Sequence, residues 1–285
     1  MHRELFEQEM VLFIGRMGPK TPLREACEYA LMSGGKRFRP LLVLLIAEAL
    51  GQGLSVMPAA LGVECFHTAS LIADDLPCMD NDAERRKRPS LHKRFGEDVA
   101  ILASYTLIAA GYEGIASNGR WMGNSSRFAL QSAEATLLAL EVASRCAGIL
   151  GATQGQYWDL HPSQITQEFI EQVIDQKTTS LFEVAFVWGW LFGGGEIAKL
   201  SLVQECAAHL GRAFQIGDDL QDQAKDRVRG NPLNLALACG EERAVSLFEQ
   251  ERALFQNNLK ALHLDTPALL QILSIQEPLL VRESQ

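Results

Sequence analysis

Two groups of aspartates, in opposite halves of the chain and each set in an apolar stretch with helical spacing, constrain the fold more than any other feature. The first is Asp74, Asp75, Asp80 and Asp82 in LIADDLPCMDNDAERRKRP; the second is Asp218, Asp219 and Asp222 in FQIGDDLQDQAKD. On a helix, residues at i, i+1 and i+4 leave at least two carboxylates on one face. Carboxylates that close repel, so something cationic must compensate them. Hard divalent ions with oxygen ligands, Mg²⁺ foremost, suit such a set when a phosphate shares the coordination sphere. A solvated acidic face is the ordinary reading of a charge run. It fits poorly here, because apolar LGVECFHTASLIA precedes the first group and LGRAFQIG the second.

The rest of the pattern is helix after helix. Apolar residues recur at three and four over 39–50, 56–79, 97–117, 129–151, 166–192, 197–224 and 240–263, with no sustained alternation between hairpin turns. Gly34-Gly35, Gly51-Gln52-Gly53, the Pro89-Ser90 region, Gly119 to Ser126 and Gly193 to Gly195 read as helix ends or loops. No Pro/Gly/Ser-rich linker divides the chain, so residues 1–285 are expected to form one all-α domain. That domain is a bundle of about ten helices around a central cavity, with long apolar walls that suit a hydrocarbon ligand.

Composition narrows the class of partner. With 47% apolar and 21% charged residues the chain can bury a substantial core, and a net charge of −9 argues against nucleic acid. The N-terminus interleaves acidic with apolar residues, unlike a signal peptide, and the longest apolar runs, LLVLLIA and VAFVWGWLFGGG, are too short to span a bilayer. No stable membrane insertion is expected. Cys27, Cys65, Cys78, Cys146, Cys206 and Cys239 lack paired spacing and read as reduced thiols of a cytoplasmic protein.

The basic residues are arranged for several phosphates. GGKRFRP places Lys36, Arg37 and Arg39 after a flexible turn and before a helix, where backbone N–H groups also favour an anion. Arg85 and Arg86 follow the first aspartates, and their planar forks suit bidentate phosphate contacts. Lys177, with Thr178 and Thr179, sits in an apolar helical stretch, an expensive place for a lysine without an anionic partner. His67 either donates to a phosphate oxygen or is a satisfied core histidine. Gln156 and Gln215 read as buried amides whose claim to function rests on position.

In order and spacing, GGKRFRP, HTASLIADDLPCMDND with its following RR, FGEDVAIL, GQYWDL, KTTSLFE and FQIGDDLQD resemble the motifs of short-chain trans-isoprenyl diphosphate synthases over about residues 20 to 245. The four residues inside DDLPCMD are similar to those of bacterial farnesyl and of plant or bacterial geranylgeranyl synthases. The resemblance implies an isoprenoid synthase-like fold, a homodimer, and head-to-tail condensation of isopentenyl diphosphate with an allylic diphosphate. It also implies three Mg²⁺, with Mn²⁺ as a substitute, held by Asp74, Asp75, Asp80, Asp218, Asp219 and Asp222. These neutralise the allylic diphosphate as its C–O bond ionises. Isopentenyl diphosphate would bind Lys36, Arg39, His67 and Arg86. Arg85, Lys177 and Gln215 would contact the allylic side, with Lys177, Thr178 and Gln215 stabilising the cation and the departing pyrophosphate taking the final proton.

Product length follows from the helix preceding Asp74, along which the growing tail should run. Ala69 and Ser70, one turn back, are small where similar farnesyl synthases carry an aromatic ring; Phe66 is either a deeper stop or plain core. Geranylgeranyl diphosphate is the expected product and farnesyl diphosphate the alternative. The chain departs from the family pattern at Lys87 (usually glycine), Ala73, Tyr105 and the shortened segment after Asp226, where Asn231 replaces an expected lysine and Lys225, Arg227 or Arg229 are candidate substitutes. A non-catalytic partner subunit would usually lose an aspartate group, and a class I terpene cyclase would not need GGKRFRP.

Overall fold

The computed structural model describes residues 2–230 and 232–274, excepting the Arg229 side chain. They fall into two compact units, one running to Leu140 and adding Trp188–Gly194, the other Glu141–Val187 with the described residues from Gly195 onward.

The first unit holds α1 (His2–Arg16), α2 (Pro22–Leu31), α3 (Phe38–Leu50), α4 (Met57–Asp74), a ribbon of β1 (Glu84–Arg85) and β2 (Arg88–Pro89), α5 (Leu91–Phe95), α6 (Glu97–Gly123) and the start of α7 (Ala129–Ala147). Its centre is the crossing of α4 and α6, where small residues let two backbones meet. A Cβ on Gly62 would lie 3.0 Å from the Gly111 carbonyl, and one on Gly114 would lie 2.6 Å from the Pro58 carbonyl. From α6 the fully buried Asn118 accepts the Ala59 N–H at 3.0 Å and donates to the Ser55 carbonyl at 3.2 Å. It thereby satisfies the N-terminus of α4 and fixes the helix that ends at Asp74.

The second unit holds α8 (Ala152–Leu160), α9 (Gln167–Val173), a π-helical turn (Ile174–Thr179) continuous with α10 (Ser180–Phe192, whose end belongs to the first unit), a 3₁₀ turn (Ile197–Lys199), α11 (Leu200–Arg229), α12 (Leu235–Cys239), α13 (Glu241–Ala261) and α14 (Pro267–Leu270). Phe186 packs edge-on against Phe255 at 6.4 Å between ring centres, and Phe182 against Phe214 at 4.9 Å.

The all-α expectation is met, with only the short ribbon as strand among the described residues. Two boundaries differ. The helix read to residue 79 stops at Asp74 because Pro77 cannot donate to the preceding turn and bars helical backbone from Leu76. The helix read to 117 continues to Gly123. Gly119 is no turn glycine; a Cβ there would meet Thr136 Oγ1 at 2.1 Å, so it serves packing of α7. All six cysteines are free thiols, four of them buried. Glu97–Gly123 and the segment 129–160 are long and apolar enough, on length and composition, to cross a membrane. This corrects the expectation that no segment is, which rested on uninterrupted apolar runs; polar residues break those runs without removing the apolar character of the whole helix. The most apolar part of α6 is 44% buried, and the helix packs Gly111, Gly114 and Asn118 inward as a core helix does.

Candidate active site

The first aspartate group straddles a helix end. Asp74 closes α4, Asp75 caps it, and the chain then folds back so that the Asp80 N–H meets the Asp74 carbonyl at 2.9 Å. Asp75 is only 3% exposed and points at Arg85, whose Nε donates to it at 2.9 Å and whose Nη2 also contacts it. Burial pushes the Asp75 carboxyl above its ordinary range and the Arg85 guanidinium opposes the shift. Arg85 Nη2 also lies 3.5 Å from Asp82.

Arg86 and Lys87 turn the ribbon with φ of 54° and 63°, both left-handed. This aims the Arg86 guanidinium at the GGKRFRP loop, where it donates to the Gly34 carbonyl and to Ser33 Oγ at 3.3 Å. A Cβ on Gly35 would sit 2.5 Å from Arg86 Cζ and displace that guanidinium, and the φ of 118° is what calls for glycine. Arg85, Arg86 and Asp75 line one cavity of about 30 Å³.

The three cations of GGKRFRP divide. Lys36 is exposed and Arg39 half-buried at the start of α3. Arg37 is turned inward at 3% exposure with φ 53°, donating to Glu64 at 2.6 Å, to Glu7 at 2.9 and 3.3 Å, and to the Leu31 carbonyl at 2.6 Å. It shapes the loop and is no phosphate ligand. Glu64 is 1% exposed and its second oxygen has no hydrogen-bond donor; burial raises its pKa, opposed by Arg37, Arg86 and Arg39. One turn on, His67 is half-buried; burial, then Arg39, Arg86, Arg37 and Arg85, hold its pKa well below the ordinary value. It is a neutral imidazole in the free protein.

Phe66 lies between α4 and α6, edge-on to Tyr112 at 5.1 Å and tilted on Trp188 at 5.7 Å. Ala69 is buried, its carbonyl accepting from Ser104 at 3.1 Å, while the half-buried Ser70 donates to the His67 carbonyl at 2.9 Å.

In the second unit the π-turn carries Lys177 and Thr178. Two glycines allow its neighbours to press against it: a Cβ on Gly155 of α8 would lie 2.3 Å from the Lys177 nitrogen, and one on Gly211 of α11 would lie 2.7 Å from Thr179 Cα. Such single π-turns inside α-helices recur at functional sites. Lys177 Nζ contacts Asp159, the anionic partner its setting requires. Thr178 Oγ1 donates to Gln215 Oε1 at 2.8 Å, and Gln215 Nε2 donates to Asp219 Oδ1 at 2.8 Å. The Leu235 N–H meets Asp219 Oδ2 at 2.9 Å, and Asn234, the N-cap of α12, donates to the Asp219 carbonyl and to Asp226, each at 2.9 Å. Burial, with the Asp226 and Asp218 charges, pushes the Asp219 carboxyl up to about 7 against these hydrogen bonds. Asp218 is half-buried and Asp222 exposed, 3.5 Å from Lys225. Both amide atoms of Gln156 are buried without a partner.

Among the described residues no three carboxylate, imidazole or thiol groups converge as a ready-made metal site. In both clusters the second aspartate is hydrogen-bonded within the protein. The donor chemistry still fits a hard cation. Asp74 and Asp80 are brought together by the loop, Asp218 and Asp222 share a helix face, and all four are half-buried or exposed. Sequence reasoning missed Asp159, although it lies in GQYWDL, and missed Glu7, Glu64 and Asn234. Only Asn234 had a local signal, an asparagine before a short apolar helix. Asn231 lies outside the described residues. Its three candidate substitutes, Lys225, Arg227 and Arg229, all lie on α11.

Two aspartate sets and an arginine pair, Arg85 and Arg86, thus lie on an all-α scaffold. Residues 20–232 match the polyprenyl synthetase family, and the chain belongs to it. It is 37% identical over 215 residues to heterodimeric geranylgeranyl pyrophosphate synthase large subunit 2 of Arabidopsis thaliana, covering 73% of this chain and 54% of that protein. It is 38% identical over 212 residues to the chloroplastic geranylgeranyl pyrophosphate synthase of Catharanthus roseus, covering 72% and 57%. The chain thus spans about half the length of these curated relatives. Among solved structures, a geranyltransferase from Legionella pneumophila superposes with TM-score 0.78 at 26% identity, covering 100% of this chain and 99% of that one. An FPP/GFPP synthase from Zymomonas mobilis gives 0.77 at 26% identity, covering 96% and 95%.

Proposed function

We propose that the protein is a prenyltransferase that condenses isopentenyl diphosphate head-to-tail with an allylic diphosphate and releases geranylgeranyl diphosphate. The observation that carries this reading is the joint presence, in a member of this family, of both aspartate sets and of an arginine turn anchored on the GGKRFRP loop. Lys36, Arg39 and Arg86 hold the isopentenyl diphosphate, and neutral His67 donates one N–H to it. Arg85 and Lys177 orient the allylic diphosphate. The Thr178 hydroxyl and the Gln215 amide, fixed by their mutual hydrogen bond, present dipoles to the allylic cation as the C–O bond opens. Asp74, Asp80, Asp218 and Asp222 are the residues that would hold Mg²⁺, or Mn²⁺ in its place, and Asp75 and Asp219 brace them. The metal supplies neutralisation of the charge that accumulates on the leaving diphosphate. Released pyrophosphate takes the final proton.

Ala69 and Ser70 set the twenty-carbon length by leaving the tail room. A stripe of exposed apolar residues on α6, Ile101, Leu102, Tyr105 and Ile108, supports self-association as a homodimer. The same stripe suits a related second subunit, given the heterodimeric relative. Purified protein incubated with Mg²⁺, labelled isopentenyl diphosphate and dimethylallyl, geranyl or farnesyl diphosphate should yield a twenty-carbon alcohol after dephosphorylation. That product should disappear in Asp74→Ala and shorten toward fifteen carbons in Ala69→Tyr. No product with any starter sinks the synthase reading for this chain alone; an unchanged chain length in Ala69→Tyr sinks the pocket argument.

A further inference from the structure

Against a net charge of −9, the segment from Glu84 to Phe95 holds Arg85, Arg86, Lys87, Arg88, Lys93 and Arg94 with one carboxylate, Glu84. Arg85 and Arg86 belong to the site above, and Arg88 borders its cavity; Lys87, Lys93 and Arg94 lie outside it. Arg88 and Arg94 both stack on Tyr29, with Cζ 4.2 and 4.5 Å from the ring centre, and the Tyr29 hydroxyl donates to the Pro89 carbonyl at 2.8 Å. Arg88 and Tyr29 also line the cavity shared by Arg85, Arg86 and Asp75. Lys87, Lys93 and Arg94 are exposed. Of the nearby carboxylates, Asp75 and Asp82 face Arg85, Glu84 pairs across the ribbon with Pro89, and the exposed Glu97 and Asp98 open α6 just beyond Phe95.

Lys87 adds a separate argument. At φ 63° a lysine is disfavoured by about 1–2 kcal/mol relative to glycine, so a positive charge is kept where the backbone resists it. We propose that Lys87, Lys93 and Arg94, continuous through Tyr29 and Arg88 with the arginine cavity, form an entry strip. It draws the diphosphate head of an incoming substrate out of the field of an acidic protein and toward Arg86. The inference rests on the diphosphate reading of the site and deepens it. A field of this kind raises encounter rates by about 10- to 1,000-fold for strongly charged clefts and weakens as salt shortens the Debye length.

The test compares wild type with K87Q/K93Q/R94Q across ionic strength. At low salt kcat/KM for isopentenyl diphosphate should fall about fivefold with kcat unchanged, and the gap should close in about 1 M salt. K87Q/K93Q, which keeps Arg94 on Tyr29, should fall between the two, separating charge from packing. Equal salt dependence in wild type and triple variant overturns the strip, as does a loss that persists at high salt. Calorimetric binding of inorganic pyrophosphate at low and high salt reads the strip without turnover. Salt-dependent weakening in the triple variant, in a protein that makes no prenyl product, refutes the synthase reading and leaves the strip standing. Unaltered pyrophosphate binding with lost binding to phosphatidylserine vesicles assigns the patch to a membrane surface and overturns the proposal.

Discussion

Replacing Arg37 by methionine removes the guanidinium that neutralises Glu64, a carboxylate 1% exposed with one oxygen already lacking a donor. Deleting one partner of a buried ion pair costs about 3–5 kcal/mol. Here the folded chain has an escape, because Glu64 can take up a proton. Burial alone already raises its pKa, with Arg37 the strongest opposing influence. Protonating a glutamate of ordinary pKa about 4.3 at pH 7 costs about 1.36 kcal/mol for each of the intervening 2.7 or so pH units, which caps the penalty near 3.7 kcal/mol. A carboxyl whose folded pKa is raised gives stability that is present at low pH and lost as pH climbs above the unfolded value. The Glu64 share of the Arg37→Met deficit should therefore shrink to about 1 kcal/mol at pH 5, while the share from the lost Glu7 and Leu31 contacts persists. Urea unfolding of variant and wild type at pH 7 and pH 5 measures both numbers. In a Glu64→Gln background the pH dependence of the Arg37→Met deficit should vanish. A deficit equal at the two pH values, or one that keeps its pH dependence without Glu64, refutes the reasoning.

Three further outcomes are expected. Lys87→Gly should raise stability by about 1 kcal/mol through relief of its left-handed backbone, read as a higher unfolding midpoint, and no gain would mean the lysine makes a compensating contact. His67 is held neutral, so the unfolded chain binds its proton first and wild type should lose stability as pH falls below about 6.5, by up to about 2 kcal/mol at pH 5. His67→Gln should lack that loss in unfolding curves; an unchanged pH profile would place the imidazole in water. Gly155→Ala would set a Cβ 2.3 Å from the Lys177 nitrogen, and since backbone cannot yield as a side-chain tip does, it should cost about 1–3 kcal/mol and lower kcat. Wild-type melting and turnover would show that α8 and the π-turn are not rigidly apposed.

The helices were legible because their apolar period is set by burial along each element, and burial is what α4, α6, α11 and α13 share. What escaped was decided by contacts between elements. Gly119 read as a turn because nothing local reveals Thr136 opposite it. Arg37 counted only as a third cation of the GGKRFRP loop, because composition cannot show that its backbone is left-handed and its side chain turned onto Glu7 and Glu64. The π-turn is likewise invisible in IDQKTT; it depends on Gly155 and Gly211, distant in sequence, allowing α8 and α11 to close on it.

The aspartate groups show the same limit at the scale of one residue. Neighbours on a helix point about 100° apart, so an Asp-Asp pair cannot present both carboxylates to one ligand as readily as residues four apart. Each unit resolves its pair in the same direction. Asp75 and Asp219, the second members, are 3% and 5% exposed and meet Arg85 in one case and Gln215 with the Leu235 N–H in the other. A buried carboxylate is tolerated only with such partners. Those partners are themselves site residues: Arg85 beside Arg86, and Gln215 hydrogen-bonded to Thr178. The second aspartate of each pair thus fixes a neighbouring side chain, Arg85 in one unit and Gln215 in the other. A sequence motif counts the two alike, and only the fold shows that the second is the buried one.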